Sequence, residues 1–252
     1  PFFSMSIGTL QPIHHPHAIQ LDDLVNIDEQ KMMLDENTRR FIEGFPANNV
    51  LLTGARGTGK SSLVKAMLTK YAKDGLRLIE VERDDMADLP DIVVMIENRP
   101  EHFILFCDDL SFEDNDPGYK ALKVLLDGSL SSLENHLLIY ATSNRRHLVP
   151  EYFEDNTRTQ YKDGEIHPAD AIEEKISLSE RFGLWLSFYA FTQDEYLEAV
   201  TRWLTNFGLN PTIIESAKPE ALQWALRRGA RNGRIAWQFS KHYISAFNRR
   251  KS

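Results

Sequence analysis

Asn49 to Ser62, NVLLTGARGTGKSS, constrains the chain more than any other stretch. Gly54, Gly59, Lys60 and Ser61 fill every fixed position of G-x-x-x-x-G-K-S/T. Several backbone N–H groups must approach phosphate oxygens at once, and glycines are needed wherever a side chain would block that approach. Lys60 then supplies a positive charge, and Ser61 a hydroxyl for magnesium. Val50 to Thr53 reads as a buried strand, and Ser62 to Tyr71 has the three-four spacing of a helix with one apolar face. Strand, loop and helix together point to nucleotide phosphate rather than to a glycine-rich turn that binds nothing.

The surrounding chain repeats this alternation. Asp28 to Phe41 has helical spacing and ends at Gly44 and Pro46. After the phosphate loop the helix runs to about Lys73, with Gly75 as a left-handed cap, and Arg77 to Glu82 forms a second strand. Asp91 to Asn98 is a short helix. Phe103 to Asp109, FILFCDD, describes a strand buried on both faces whose carboxyl end emerges into a polar site. Ligands of open α/β sheets sit outside such ends, so Asp108 is placed to hold magnesium and Asp109 to orient or deprotonate a water. Tyr119 to Leu133 reads as an amphipathic helix and Leu137 to Thr142 as a fourth strand, tipped by Ser143 and Asn144. An amide at that tip can reach a γ-phosphate and its attacking water. Residues 150 to 178 have little pattern and form an irregular excursion, and Ser179 to Tyr189 gives an exposed Arg181 ahead of a fifth strand. Asp194 to Phe207, Pro219 to Arg228 and Ile235 to Phe247 are three helices, with Trp203, Trp224 and Trp237 read as packing. Residues 1 to 20 carry three prolines and no sustained periodicity, as an extended arm would, and His14, His15 and His17 read as a surface cluster.

Composition narrows the function classes. A single cysteine, Cys107, excludes an internal disulfide and suits a reducing cytoplasm. No run of apolar residues is long enough to span a bilayer. The chain starts at Pro1 without a basic-then-apolar leader and is read as a fragment or processed chain rather than an exported precursor. Net charge is −8, unevenly spread: Ala221 to Ser252 hold eight Lys or Arg and no acid, leaving residues 1 to 220 with 21 basic and all 37 acidic residues, a net of −16. The acidic body disfavours general polyanion binding, while the basic end could contact nucleic acid or the acidic body of a neighbour.

The order of these parts resembles the AAA+ ATPases over roughly residues 21 to 250. The string is also similar to a bacterial branch, the ATPases of domain of unknown function 815, in passages such as PANNVLLTGARGTGKSSLVKA, FILFCDDLSFED, IYATSNRRHLVPE, EEKISLSERFGLW and GRIAWQF. The resemblance implies an α/β P-loop three-layer sandwich with a five-stranded parallel sheet and a small helical lid. It divides the chain into an arm (1–20), a core (21–190, with the irregular insertion 150–178) and the lid (191–252). It implies ATP and Mg²⁺, with Gly54, Ala55, Arg56, Gly57, Thr58, Gly59, Lys60, Ser61 and Ser62 as Walker A, Asp108 and Asp109 as Walker B, and Asn144 as sensor 1. Arg181, in SERFG, resembles an arginine finger acting on a neighbouring subunit, with Arg145 and Arg146 as rivals. Arg234, in NGRIA, resembles the sensor 2 arginine, with Arg231 as its rival, and Ile27 sits where the family packs adenine. The implied assembly is a homo-oligomeric ring or spiral, hexameric in expectation, acting on an unknown protein or nucleic-acid substrate. Two departures stand out. Asp-Asp replaces the common Asp-Glu, as in initiators and helicase loaders with slow, switch-like hydrolysis. ERDDMADLP lacks the aromatic-apolar-glycine triplet of protein-threading rings. A nucleotide-gated loader with little hydrolysis is the alternative, and a small-molecule kinase a third reading.

Overall fold

The structure, a computed structural model, describes residues 2–6, 9–13, 19–110, 116–127, 136–144 and 178–251. Five parallel strands form its centre: β3 (Val50–Gly54), β4 (Leu76–Val81), β5 (His102–Cys107), β6 (Leu137–Ser143) and β7 (Leu184–Phe188). Alternate residues of each strand face opposite sides. Phe103, Leu105 and Cys107 therefore enter one core with α3 (Leu89–Ile96) and α4 (Pro117–Leu126). Ile104 and Phe106 enter the other with α1 (Asp28–Ile42) and α2 (Lys60–Tyr71). This two-sided burial explains the continuous apolar runs of these strands, and it makes the three-layer sandwich expected from the sequence.

The sheet is wider than that expectation. β1 (Phe2–Ser6) and β2 (Thr9–Ile13) form an antiparallel hairpin in register Phe2 to Ile13, and β1 pairs in parallel with β4. The full order is β2-β1-β4-β5-β6-β3-β7. Residues read as an extended arm without sustained periodicity thus cap what would otherwise be an open edge at β4. Pro12 lies on the outermost strand, where a missing N–H is tolerated. The stretch from 145 to 177, which includes Arg145, Arg146 and nearly all of the irregular excursion, lies outside the described residues, as do His14, His15 and His17.

Three further helices, α5 (Gln193–Asn206), α6 (Pro211–Arg228) and α7 (Gly233–Lys251), share a core of their own around Tyr196, Leu204, Ile214 and Phe239. α5 opens with a reciprocal cap: Glu195 N–H donates to Thr192 Oγ1 at 3.3 Å, and Thr192 N–H to the Glu195 carboxylate at 2.7 Å. The helix read as starting at Pro219 instead starts at Pro211, and Pro219 lies within it. The stronger start signal is Asn210-Pro211, where the Asn210 side chain accepts from Ile213 N–H at 3.0 Å.

A buried polar cluster ties α1 to the middle of the sheet. Thr38 Oγ1 donates to the Leu34 carbonyl at 2.7 Å, so the Tyr140 hydroxyl 2.8 Å away donates to Thr38, and Asn37 Nδ2 donates to Tyr140 at 3.1 Å. Tyr140→Phe should destabilise the fold by about 1–2 kcal/mol, because it leaves Asn37 and Thr38 short of a buried partner. Urea unfolding checks this through a lower midpoint at unchanged slope.

Candidate active site

Parallel strands present their carboxyl ends along one edge, and three of those ends meet at one cleft. Gly54 closes β3 with φ +124, and a Cβ there would lie 1.9 Å from the Phe188 carbonyl oxygen on β7, so only glycine lets the chain turn here. The loop then runs to Gly59, φ +106, which caps α2. Asp108 and Asp109 follow β5, and Asn144 follows β6 between them and the loop.

The side chains at this edge form one connected network. Lys60, 6% exposed, donates to the carbonyls of Gly54 and Ala55 at 2.8 and 2.9 Å and to Asn144 Oδ1 at 3.2 Å. Burial pushes its ammonium down to about 8 against the opposing pull of Asp108 and Asp109, with Arg234 and Arg56 pushing the same way as burial. Asn144 Nδ2 in turn donates to Asp109 Oδ1. Ser61 Oγ donates to Asp108 Oδ1 at 2.7 Å, and Thr142 Oγ1 donates to the same oxygen at 2.6 Å. Thr142 also accepts from Asp109 N–H at 2.9 Å, so one hydroxyl orients both acids.

Asp109 itself adopts φ +55. Among residues with a side chain, Asp and Asn enter this left-handed region most readily. That conformation accounts physically for an aspartate where a longer acid is common in the resembled family.

These groups line a cleft of about 800 Å³, a size suited to a nucleotide. Its polar wall includes Asp23, the loop from Arg56 to Ser62, Asp108, Asp109, Asn144 and Arg234. Its apolar wall comprises Ile19, Leu24, Val25, Ile27, Phe191, Trp203 and Trp237. Trp203 and Trp237, read from the sequence as packing, do pack together at 4.5 Å between ring centroids, yet both also face the cleft. The oxygen pair of Ser61 and Asp108 fits a magnesium ion. Among the described residues no group of three or more His, Cys, Asp or Glu could hold a metal. Few protein ligands, with the remainder from phosphate and water, is the usual magnesium arrangement.

Of the residues singled out from the sequence, Gly54 and Ala55 do not line the cleft but place their carbonyls on Lys60. Arg181 lies elsewhere: it precedes β7 and is ion-paired with Asp127, the residue closing α4. Its side chain is 25% exposed, less than the exposed position expected. Thr142, Lys65 and Asn232 escaped the sequence reading. Only Thr142 carried a usable signal, as a polar residue at the end of an otherwise apolar strand.

The C-terminal helices close the cleft from the other side. Asn26 Nδ2 donates to the Glu195 carbonyl at 2.9 Å, Arg202 Nε to the Asp22 carbonyl at 2.8 Å, and Asn206 Nδ2 to Asp23 Oδ1 at 3.0 Å. These bonds hold α5 against the segment carrying Leu24, Val25 and Ile27.

Comparison with solved structures returns the same architecture. A RuvB mutant of Thermotoga maritima matches with a TM-score of 0.57 at 17% identity, over 93% of this chain and 68% of that one. Orc1 of Aeropyrum pernix, solved in complex with DNA, matches with a TM-score of 0.56 at 14% identity, over 84% and 57%. A DNA replication initiation factor matches with a TM-score of 0.53 at 15% identity, over 94% and 66%. Such likeness shows the fold, that of the P-loop AAA+ ATPases. No curated protein matches the chain. The model of the family described as "Protein of unknown function (DUF815)" matches residues 2–247, nearly the whole length, and the chain belongs to that family.

Proposed function

We propose that this protein is a magnesium-dependent ATPase whose site is completed at a subunit interface, and that it uses hydrolysis to remodel or load a macromolecular partner. One observation carries the reading: a buried lysine, a serine-carboxylate pair and a carboxylate-amide pair converge at three neighbouring strand ends, facing an arginine from the helical lid. Lys60 and the loop amides hold the β- and γ-phosphates. A magnesium ion held by Ser61 and Asp108 would neutralise phosphate charge as it develops. Asp109 orients the attacking water and accepts its proton, and Asn144, already bonded to both Lys60 and Asp109, holds that carboxylate and the γ-phosphate in register. Arg234 adds charge from the lid, and Arg181 of one subunit serves its neighbour's site. The base rests on the apolar wall around Ile27, Trp203 and Trp237.

The partner is unidentified. The acid-free basic stretch from Ala221 and the fold shared with an Orc1 solved on DNA favour nucleic acid as one class to test. The assembly is a ring or spiral, hexameric by family resemblance, and the expected compartment is the cytoplasm. Among the described residues no helix is long and apolar enough to cross a membrane.

ATP affinity and ATP turnover, measured side by side without any added acceptor, test the proposal. Binding with magnesium-dependent phosphate release supports it. Tight binding without turnover in the assembled state would replace it with the nucleotide-gated loader, and no binding at all would remove both.

A further inference from the structure

Four successive carbonyls open the phosphate loop, and Lys60 and Thr58 satisfy the first two. Gly54 and Ala55 accept from Lys60 Nζ, and Ala55 also accepts from Thr58 Oγ1 at 2.8 Å. The next two are taken by the start of α7. Asn232 Nδ2 donates to the Arg56 carbonyl at 3.0 Å, and Arg234 N–H donates to the Gly57 carbonyl at 3.1 Å. Contact is close on both sides: a Cβ at Gly57, φ +76, would lie 2.8 Å from Asn232 Cγ, and a Cβ at Gly233 would lie 3.3 Å from the Gly57 carbonyl oxygen. Asn232 uses the other end of the same amide, Oδ1, to accept from Ile235 N–H at 2.9 Å and cap α7.

The described peptide bonds are all trans, so each C=O points opposite to the N–H of the same unit. Turning the Arg56 and Gly57 carbonyls toward the start of α7 therefore turns the amides of Gly57 and Thr58 the opposite way, and both residues line the cleft. These are the groups that must face a phosphate. We infer that Asn232 is a positioning residue: a latch carried by the lid that sets the phosphate-binding amides and makes phosphate affinity depend on where the lid sits. Movement of α7 away from the core frees two carbonyls, lets their peptide planes rotate, and weakens the hold on phosphate. Phosphate bound to those amides, reciprocally, holds the lid down. The inference rests on the cleft being the ATP site.

Two variants separate the latch from the cap. Asn232→Ser and Asn232→Asp both keep an oxygen able to cap α7 and both lose the donor to Arg56. Full-length protein is titrated with Mg-ATP by tryptophan fluorescence, with thermal unfolding and amide hydrogen exchange over the loop measured on the same samples. The serine variant is expected to bind ATP roughly tenfold more weakly, the scale of one lost hydrogen bond in a charged site, with faster exchange at Gly57 and Thr58 and an unchanged melting temperature. The aspartate variant should lose more, since it adds negative charge near the phosphates. Serine and aspartate variants that bind ATP as tightly as wild type would overturn the latch. So would an affinity loss matched by an equal loss of fold stability with loop exchange unaltered. Wild-type protein that fails to bind ATP would overturn the reading of the cleft itself, and the latch with it.

Discussion

Arg181→Ala is expected to lower ATP turnover of the assembled protein by on the order of 10³-fold or more while leaving ATP affinity close to wild type. The expectation follows from where Arg181 sits. It stands ahead of β7, outside the cleft that Lys60, Asp109 and Arg234 share, and it is ion-paired with Asp127 at the end of α4. A cation in that position contributes little to binding nucleotide in its own subunit. Presented to a neighbour, it meets the charge that develops on a transferring phosphoryl group, where an arginine supplied in trans has its large effect on rate. Steady-state phosphate release and nucleotide titration on one preparation check both halves. An equal loss in affinity would place Arg181 in its own subunit's site, and unchanged turnover would pass the role to Arg145 or Arg146.

Asp109→Asn is expected to reduce turnover by about 10²- to 10⁴-fold, the usual contribution of a positioned general base, with ATP still bound. The substitution is unusually clean at this position. Asparagine tolerates the left-handed backbone, φ +55, as well as aspartate does, and it retains an Oδ1 to accept from Asn144 Nδ2. The bond from its own N–H to Thr142 is untouched. Nearly all of the effect should therefore fall on the water and its proton, and melting temperature should not move. A loss of ATP affinity as large as the loss of turnover would make Asp109 a binding group instead. Mixing this variant with Arg181→Ala should recover part of the turnover, because each then supplies what the other lacks.

The parts that read directly from the sequence are those where an apolar strand gives way abruptly to chemistry. VLLTG into ARGTGKSS, FILFC into DD and LLIYAT into SN each mark a buried strand reaching the edge of the sheet, and the structure draws the three ends together. What escaped depends on relations that no local pattern encodes. FFSMS and TLQPI lack strong alternation, and their pairing is set by an open edge at β4 far along the chain. Trp203 and Trp237 have helical spacing whether they face a core or a cleft, and here they face both. Asn232 looks like any asparagine before a helix. Its second bond, to a loop 176 residues away in sequence, exists only because the start of α7 folds back onto the phosphate loop.

In the proposed mechanism one chain carries only part of its own catalytic site. Turnover per subunit, measured against protein concentration at saturating Mg-ATP, is the decisive measurement. Activity should be low in dilute protein and rise steeply per subunit as copies associate and Arg181 reaches a neighbour's γ-phosphate. Substantial turnover that stays flat from the dissociated to the associated state would mean instead that the site is complete within a single chain, and Arg181 would have no role in trans.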